Sequence, residues 1–344
     1  MKKLFAFVVF AAICIMGLIM VSPVHAVRKK QESGSNPTAT ATITRDPSIT
    51  SIPLIVGIGQ SNMAGKAPLP VPSRTPPPGA VMMKWDASNS RFYWTQMEEP
   101  ADVWNGYPTQ TGTPKGTNYG YGASTAFIGR FMEDTGWQNV AFINCGVGGT
   151  DVVDWAPSNP TATNATYFND CWKRIASAQS HYLYEVVGVI VINGENETAN
   201  LTKAATYETS MVRLYEALAG RLNKPRLPMA FLRLGYTPPT ATPGPTPTGG
   251  HMVYPRVAWN AILATQQYLP IMHPTINWGI AYPINVTREP DNLYLHYASA
   301  DDYDKIGVKL ADKLELLLSS TPLPTPTSTP TLTPTRTPTR TPTP

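Results

Sequence analysis

One serine of this 344-residue chain stands in a setting that suits a nucleophile. Ser61 lies in the sequence Gly57-Ile-Gly-Gln-Ser-Asn-Met-Ala-Gly65, just after the apolar run 52–58. A strand that runs into a glycine-flanked turn and then a helix presents such a serine at the carboxyl edge of a sheet. Backbone N–H groups of the first helical turn are aimed at the same point and can hold an oxyanion. An isolated Gly-x-Ser more often only caps a helix, so the interpretation depends on the other motifs.

Three further segments carry the groups that ester cleavage by serine requires. That reaction needs a base for the hydroxyl proton, donors for the oxyanion and usually a group that orients the base. Two segments follow apolar runs: Asn144-Cys-Gly-Val-Gly-Gly-Thr-Asp-Val-Val-Asp-Trp155 and Asn193-Gly-Glu-Asn-Glu197. The third contains His296. Their order and their places after apolar runs make a nucleophilic Ser61 the favoured interpretation.

The elements that must position these segments follow from the hydrophobic pattern. Apolar runs alternate with helix-like segments, which is typical of a parallel sheet covered on both faces. The pattern predicts an α/β fold, a three-layer α/β/α sandwich. Predicted strands are 52–58, 139–145, 186–193, 228–234 and 276–281, and predicted helices are 61–65, 122–135, 168–183, 202–222, 255–269 and 299–318.

These motifs together resemble the SGNH/GDSL hydrolase superfamily. Within it they resemble the carbohydrate acetylesterases that include sialate O-acetylesterase-like and acetylxylan esterase-like proteins, whose first block reads Gly-Gln-Ser-Asn-Met, as residues 59–63 do. The resemblance implies a flavodoxin-like fold and hydrolysis of an O-acetyl ester on a carbohydrate through an acetyl-serine intermediate. It implies no metal and no organic cofactor.

The resemblance also assigns roles to residues. It makes Ser61 the nucleophile and its backbone N–H the first oxyanion donor, Gly149 the second donor and His296 the base. The third donor is an amide side chain. Close relatives have Gln-Gly-Glu where this chain has Asn193-Gly-Glu, whereas the wider superfamily's Gly-x-Asn-Asp block places its asparagine at Asn196. Both remain candidates.

The group that orients the histidine departs from the family pattern. Relatives carry an aspartate three residues before the histidine, and Leu293 stands there in this chain. Asp291 is the nearest substitute, and a backbone carbonyl that holds the ring of His296 is the alternative. Leu293 also motivates a second function, that of a carbohydrate-binding or wall-attached module that has lost catalysis. A general short-chain carboxylesterase or lipase is a third.

Substrate contacts are less determined by the sequence. Gln60 and Asn62 flank the serine and are candidates, although Asn62 could bond to residues of the conserved blocks instead. Trp155 matches a family aromatic and could stack on a sugar face. The segment 66–118, rich in Pro, Trp and Tyr, fits no strand–helix repeat, and we expect it to form loops over the sheet edge.

The flanks of the domain have the composition of targeting and linker segments. Residues 1–26 have the charged start, apolar centre and small-residue exit of a signal peptide, with an uncleaved membrane anchor as the alternative. A polar linker over 27–50 precedes the esterase domain at 51–318, which carries a Pro/Thr-rich insertion at 237–250. The Thr/Pro-rich tail 319–344 suits an extended spacer or cell-wall tether. We expect a secreted protein.

Charge and cysteine usage exclude several other classes. Five basic residues lie in 1–30 and two in the tail, which leaves 20 basic and 23 acidic residues, a net charge of −3, over 31–318. No basic surface for nucleic acid is therefore expected. Nor does any Cys/His spacing suggest zinc, or any glycine pattern a phosphate cofactor. Beyond the signal peptide only Cys145 and Cys171 remain, either as a disulfide or as two buried thiols.

Overall fold

The computed structural model describes residues 51–67, 75–86, 88–99, 120–157, 166–180, 184–235, 256–288 and 296–320. Within these ranges the strands are β1 Ile52–Gly59, β2 Ala80–Asp86, β3 Arg91–Gln96, β4 Val140–Asn144, β5 Tyr184–Ile192, β6 Met229–Leu232 and β7 Trp278–Ala281. The α-helices are α1 Ser61–Ala64, α2 Ser124–Thr135, α3 Thr166–Ser180, α4 Leu201–Leu222, α5 Arg256–Met272 and α6 Ala300–Ser319. Short 3-10 turns cover Val152–Asp154 and Asn196–Ala199.

The strands form one sheet in the order β3-β2-β4-β1-β5-β6-β7. All neighbours are parallel except β3, which pairs antiparallel with β2. The central strand β1 pairs with β4 on one side and β5 on the other, with Gly57 opposite Asn144 and Gly59 opposite Ile192. The carboxyl ends of these three strands therefore meet at one edge, and each leads into a candidate catalytic segment.

Side chains from the two faces of the sheet form two separate cores. Ile55 of β1 packs in a cluster with α2 and α6, whose contributions include Phe127 and Leu310. Its neighbour Val56 belongs to the other cluster, where α3, α4 and α5 contribute residues such as Leu214. Successive strand residues face opposite layers, which explains why the buried strands are apolar throughout. The predicted three-layer α/β/α sandwich is confirmed.

Local capping sets the ends of the long helices. The side chain of Asn200 accepts the backbone N–H of Lys203 at the start of α4, and Asn223 ends that helix in the left-handed region with φ 52°. Ser299 caps α6 by accepting the N–H of Asp302. This cap fixes where α6 begins, just after the segment that carries His296.

The segment 66–118 differs from the prediction. Loops were expected there, but β2 and β3 extend the sheet beyond β4. The prediction was wrong because four of the seven residues of β2 are only partly buried, so its apolar pattern is weak. The pairing of β2 with β4, whose residues lie about 60 positions later, supplies what the local pattern lacks.

Several predicted segments lie outside the described residues. These are the signal peptide 1–26, the linker 27–50, the insertion 237–250, and all but the first two residues of the tail 319–344. Among the helices of the described ranges, none has the length and apolar character needed to cross a membrane.

The two cysteines left open by the sequence form a disulfide. Cys145 directly follows β4, and Cys171 lies on α3, with 5.6 Å between their Cα atoms. The bond closes a loop across 26 positions of the chain. It thereby fixes the segment after β4, which leads to Gly148 and Gly149, against a helix of the outer layer.

Candidate active site

Ser61 and His296 meet at the carboxyl edge of the sheet although 235 positions separate them. The Nε2 atom of His296 lies 2.8 Å from the Oγ atom of Ser61. This is the separation at which an imidazole can take the proton of a serine hydroxyl. The pair therefore has the separation that activation of a serine nucleophile requires.

The turn that presents Ser61 depends on Gly59. Its φ of 151° lies in a region that residues other than glycine rarely adopt. A Cβ at this position would lie 2.0 Å from the carbonyl oxygen of Ile192. This close approach lets the N–H of Gln60 donate to the same oxygen at 3.1 Å. The end of β1 thus stays bound to β5 up to the residue before the serine.

The turn Gly148–Gly149 lies beside the serine. The N–H of Val147 donates to the carbonyl of Gly59 at 2.9 Å, which continues the pairing of β1 beyond the end of β4. A Cβ on Gly148 would lie 3.6 Å from that of Ser61, and Gly149 has a left-handed φ of 75°. The structure therefore brings the predicted second oxyanion donor next to the nucleophile's turn.

The two candidate amides have different surroundings. The Nδ2 atom of Asn196 donates to Asp151 Oδ1 at 2.7 Å and to the carbonyl of Gly149 at 3.4 Å. Both polar side-chain atoms of Asn193 are buried and have no hydrogen-bond partner within the part of the chain that the structure describes. Buried amides are normally bonded, so Asn193 holds unused donors beside the end of β5.

The residues that flank Ser61 are bound inside the protein. Gln60 Nε2 and Asn62 Nδ2 both donate to the carboxylate of Glu195, the latter at 2.6 Å, and Tyr303 donates to Asn62 Oδ1 at 2.8 Å. Gln60 and Asn62 are buried. This corrects the expected role of Gln60 as a substrate contact and agrees with the alternative given for Asn62, because both side chains hold the turn of Ser61.

Trp155 also differs from the expectation. Its side chain is fully buried, and its indole N–H donates to Thr150 Oγ1 at 3.0 Å. The ring packs against Tyr167, with 5.7 Å between ring centroids. No face of the indole is open to a sugar, so Trp155 supports the loop after β4 from within the core.

Glu197 is a buried acid that the sequence did not single out. The N–H of Val152 donates to its Oε1 atom. Burial is the main cause that raises the pKa of Glu197 to about 8, helped by the nearby charge of Asp151. Together with Asn196, this residue ties the 3-10 turn after β5 to the loop that carries Gly149.

A second acid, Asp302, binds residues on both sides of His296 in the sequence. Asp302 accepts hydrogen bonds from the N–H and Oγ1 of Thr287, the latter at 2.6 Å, and from Ser299 Oγ at 2.7 Å. Burial raises its pKa, but the bonds from Thr287 and Ser299 outweigh burial and leave the pKa below its ordinary value. Asp302 thus binds the segment before His296 to the start of α6.

Asp291 and Leu293 lie outside the described residues, so the group that orients His296 stays a prediction. Sequence reasoning also missed Tyr303, which donates to Asn62 from 241 positions away, and Arg288, which pairs with Glu195. No local motif marks either residue. In the described ranges, no cluster of three His, Cys, Asp or Glu side chains could hold a metal ion.

Comparison with known families decides the classification. A family model described as carbohydrate esterase, sialic acid-specific acetylesterase matches residues 52–252, more than half of the chain. The chain belongs to this family. The SGNH-like resemblance that its motifs predicted is confirmed, and so is its place among the hydrolases. A carbohydrate esterase of this family is expected to act on acetyl groups of sugars.

Solved structures share the fold of this carbohydrate esterase. One is an Arabidopsis thaliana protein, with a TM-score of 0.56 and 18% identity over 78% of this chain and 99% of that one. Another is NanS, with a TM-score of 0.51 and 17% identity over 78% and 97% of the two chains. At these identities the likeness shows the fold alone. No curated protein matches the sequence.

Proposed function

We propose that this carbohydrate esterase removes O-acetyl groups from sugars through a covalent acetyl-serine intermediate on Ser61. The observation that carries the proposal is the 2.8 Å contact between His296 Nε2 and Ser61 Oγ, at the sheet edge where the family motifs converge. Family membership supports the substrate class, and the contact between His296 and Ser61 supports the mechanism. No other described histidine contacts a serine in this way: His273 bonds to Glu208 at 3.0 Å.

The reaction proceeds in two steps. Ser61 Oγ attacks the acetyl carbonyl carbon while His296 Nε2 takes its proton, and the resulting tetrahedral oxyanion collapses to acetyl-Ser61. The sugar hydroxyl leaves with the proton that His296 returns. Water, activated by the same imidazole, then attacks the acetyl-serine and releases acetate.

Three donors would stabilise the oxyanion: the backbone N–H groups of Ser61 and Gly149 and the side-chain amide of Asn193. We favour Asn193 over Asn196 because its amide is unpartnered among the described residues, whereas that of Asn196 is bonded to Asp151. Donors that point at the developing charge before the reaction cost no reorganisation when it occurs. Asn196 then has a supporting role, because its side chain donates to the carbonyl of Gly149.

Asp291 remains the proposed orienting acid for His296, with a backbone carbonyl as the alternative. An acid that binds the far nitrogen of the ring fixes its tautomer and stabilises the imidazolium. A Ser61–His296 dyad would keep part of the activity, because oxyanion binding persists without the acid. The Asp291→Asn variant separates the two arrangements.

We also propose that the enzyme is exported and works outside the cytoplasm. The leader-like residues 1–26 and the Thr/Pro-rich tail support this, as does the Cys145–Cys171 disulfide, since such bonds persist in oxidising compartments. The tail would serve as a spacer or a tether to the cell wall.

The decisive experiment measures acetate release from p-nitrophenyl acetate, acetylated xylan and O-acetylated sialic acid. Ser61→Ala and His296→Ala should each lose at least ~10³-fold in kcat, since neither proton transfer nor acyl transfer survives. Ser180→Ala and His273→Ala are matched controls on exposed or remote sites and should keep wild-type rates. Full activity in Ser61→Ala would refute the serine mechanism.

The same assay addresses the rival functions. Faster turnover of p-nitrophenyl octanoate than of any acetylated sugar would indicate a general carboxylesterase or lipase. Binding of sugars with no acetate release at any pH would indicate a module that has kept the fold and lost catalysis.

A further inference from the structure

Arg288 and Glu195 form a buried ion pair, and Glu195 contacts both neighbours of Ser61. The side chains of Arg288 and Glu195 are 6% and 4% exposed, with 3.7 Å between Arg288 Nη1 and Glu195 Oε1. Charges are seldom buried unless a structural or functional constraint retains them. Neither charge takes part in the proton transfers of the proposed mechanism, so their retention needs another reason.

Glu195 binds the turn that carries the nucleophile. Its two carboxylate oxygens accept hydrogen bonds from Gln60 and Asn62, the neighbours of Ser61 on both sides. A charged acceptor makes such bonds stronger than a neutral one would. The position of Ser61 is therefore set by Glu195.

Arg288 binds the segment that carries the histidine. Its Nη2 donates to the hydroxyl of Tyr297 at 2.9 Å, and its guanidinium carbon lies 4.3 Å from the centre of the Tyr297 ring. The backbones of Arg288 and Tyr297 form an antiparallel bridge. Tyr297 is fully buried and directly follows His296, so the position of Tyr297 limits where His296 can lie.

We propose that Arg288 is a positioning residue for catalysis, which couples the turn of Ser61 to the segment of His296 through Glu195 on one side and Tyr297 on the other. This inference rests on the proposed serine mechanism. Ser61 lies directly beyond the end of a sheet strand, whereas His296 lies shortly before α6 and outside every strand that the described residues form.

Arginine suits this role better than lysine. A planar guanidinium can stack on an aromatic ring and donate in fixed directions at the same time. Arg288 does so against Tyr297, and the ring of Trp259 lies 5.3 Å from its guanidinium carbon. A flexible ammonium group would keep the charge beside Glu195 but not the orientation toward Tyr297.

The test compares Arg288→Met and Arg288→Lys with wild type in kcat and KM for p-nitrophenyl acetate and in the rate at which paraoxon phosphorylates Ser61 with release of 4-nitrophenolate. Displacement of the base by about 1 Å can cost ~10²-fold, so Arg288→Met should lose ~10²-fold in kcat and in the rate of Ser61 phosphorylation at unchanged KM. Arg288→Lys should recover only a small part of the kcat that Arg288→Met loses. Arg130→Met, which removes an arginine paired with Asp134 and Asp312 on the outer helices, should leave both rates unchanged.

A second pair of variants separates positioning from the effect of an unpaired buried charge. In the background Glu195→Gln, no charge is left behind when Arg288 is replaced. Arg288→Met should still lower kcat by at least ~10-fold in that background, because its contacts with Tyr297 are lost. Paraoxon titration of competent sites and urea unfolding exclude a trivial loss of folded protein.

Two results would overturn the proposal. One is a folded Arg288→Met enzyme with wild-type kcat, and the other is an Arg288→Met effect that disappears in the Glu195→Gln background. Both differ from failure of the proposed function itself, which would appear as full activity in Ser61→Ala.

Discussion

Asn193 and Asn196 lie three residues apart after β5, yet only one of them has free donors among the described residues. If Asn193 completes the oxyanion hole, Asn193→Ala should lower kcat by ~10²-fold or more at little change in KM. Asn196→Ala should have a smaller effect, since it only loosens the loop of Gly149. Initial rates with p-nitrophenyl acetate check both variants.

The reverse order of effects would assign the donor to Asn196. Asn193→Asp provides the matched control, because it keeps the size of the side chain and removes its donors. Activity in Asn193→Asp close to wild type would contradict a donor role for this position.

Glu197 should make stability depend on pH. Burial raises its pKa in the folded state to about 8 from an ordinary 4.5, so between these values the folded protein binds more protons than the unfolded chain. Its effect on stability is therefore neutral below about pH 4.5, and stability is lost as the pH rises towards 8. Glu197→Gln should remove this loss, which is of the order of 5 kcal/mol at most.

Urea unfolding from about pH 5 to pH 8 measures this slope. The exposed Glu216 on α4 provides the control, since Glu216→Gln should leave the slope unchanged. An unaltered slope in Glu197→Gln would show that this carboxyl is not the source.

Packing of α2 against α6 depends on one position without a side chain. A Cβ on Gly307 would lie 2.4 Å from the carbonyl oxygen of Ala123 and 2.8 Å from the nitrogen of Phe127. We expect Gly307→Ala to lower the free energy of unfolding by ~1–3 kcal/mol, because the helices must move apart. It should also lower kcat, since α6 begins four residues after His296. Denaturant unfolding and acetate release measure the two effects.

At Gly129 and Gly220 we expect alanine to stabilise the protein. Each lies inside a helix, and a Cβ there would meet no atom within 4 Å. Gly129→Ala and Gly220→Ala should raise the free energy of unfolding by ~0.5–1 kcal/mol, because alanine loses less backbone entropy. Equal destabilisation in all three variants would contradict the close-packing argument.

The elements themselves followed largely from the sequence. The central strands are apolar on both faces, and α4 and α6 begin at side-chain caps, so local pattern and local chemistry agree with the fold there. β2 and β3 escaped prediction because their stability comes from pairing with β4 and with each other. Such pairing has no signal in a single short segment.

The domain as a whole is stabilised by one covalent cross-link among its described residues. The Cys145–Cys171 bond closes a loop of 26 positions, so its removal should cost ~3 kcal/mol of stability through the larger entropy of the unfolded chain. Thermal unfolding of Cys145→Ala/Cys171→Ala should show a lower Tm than wild type. Reductant should lower the Tm of wild type and leave the variant unchanged, and equal responses would contradict a bond in solution.

The sequence by itself determined the layered α/β fold and the turn of Ser61, because apolar runs and glycines act over a few neighbouring residues, and the resemblance of its motifs to a known family predicted the hydrolase class. It also placed Ser61, Gly149 and Asn193 at strand ends that must meet in a parallel sheet. Only the tertiary structure decided the rest: that Gln60 and Asn62 face Glu195, that Trp155 is buried, and which asparagine stays unpartnered. These outcomes depend on contacts across up to 235 positions. Burial and hydrogen bonding between distant segments are properties of the packed chain, which no local pattern of residues contains.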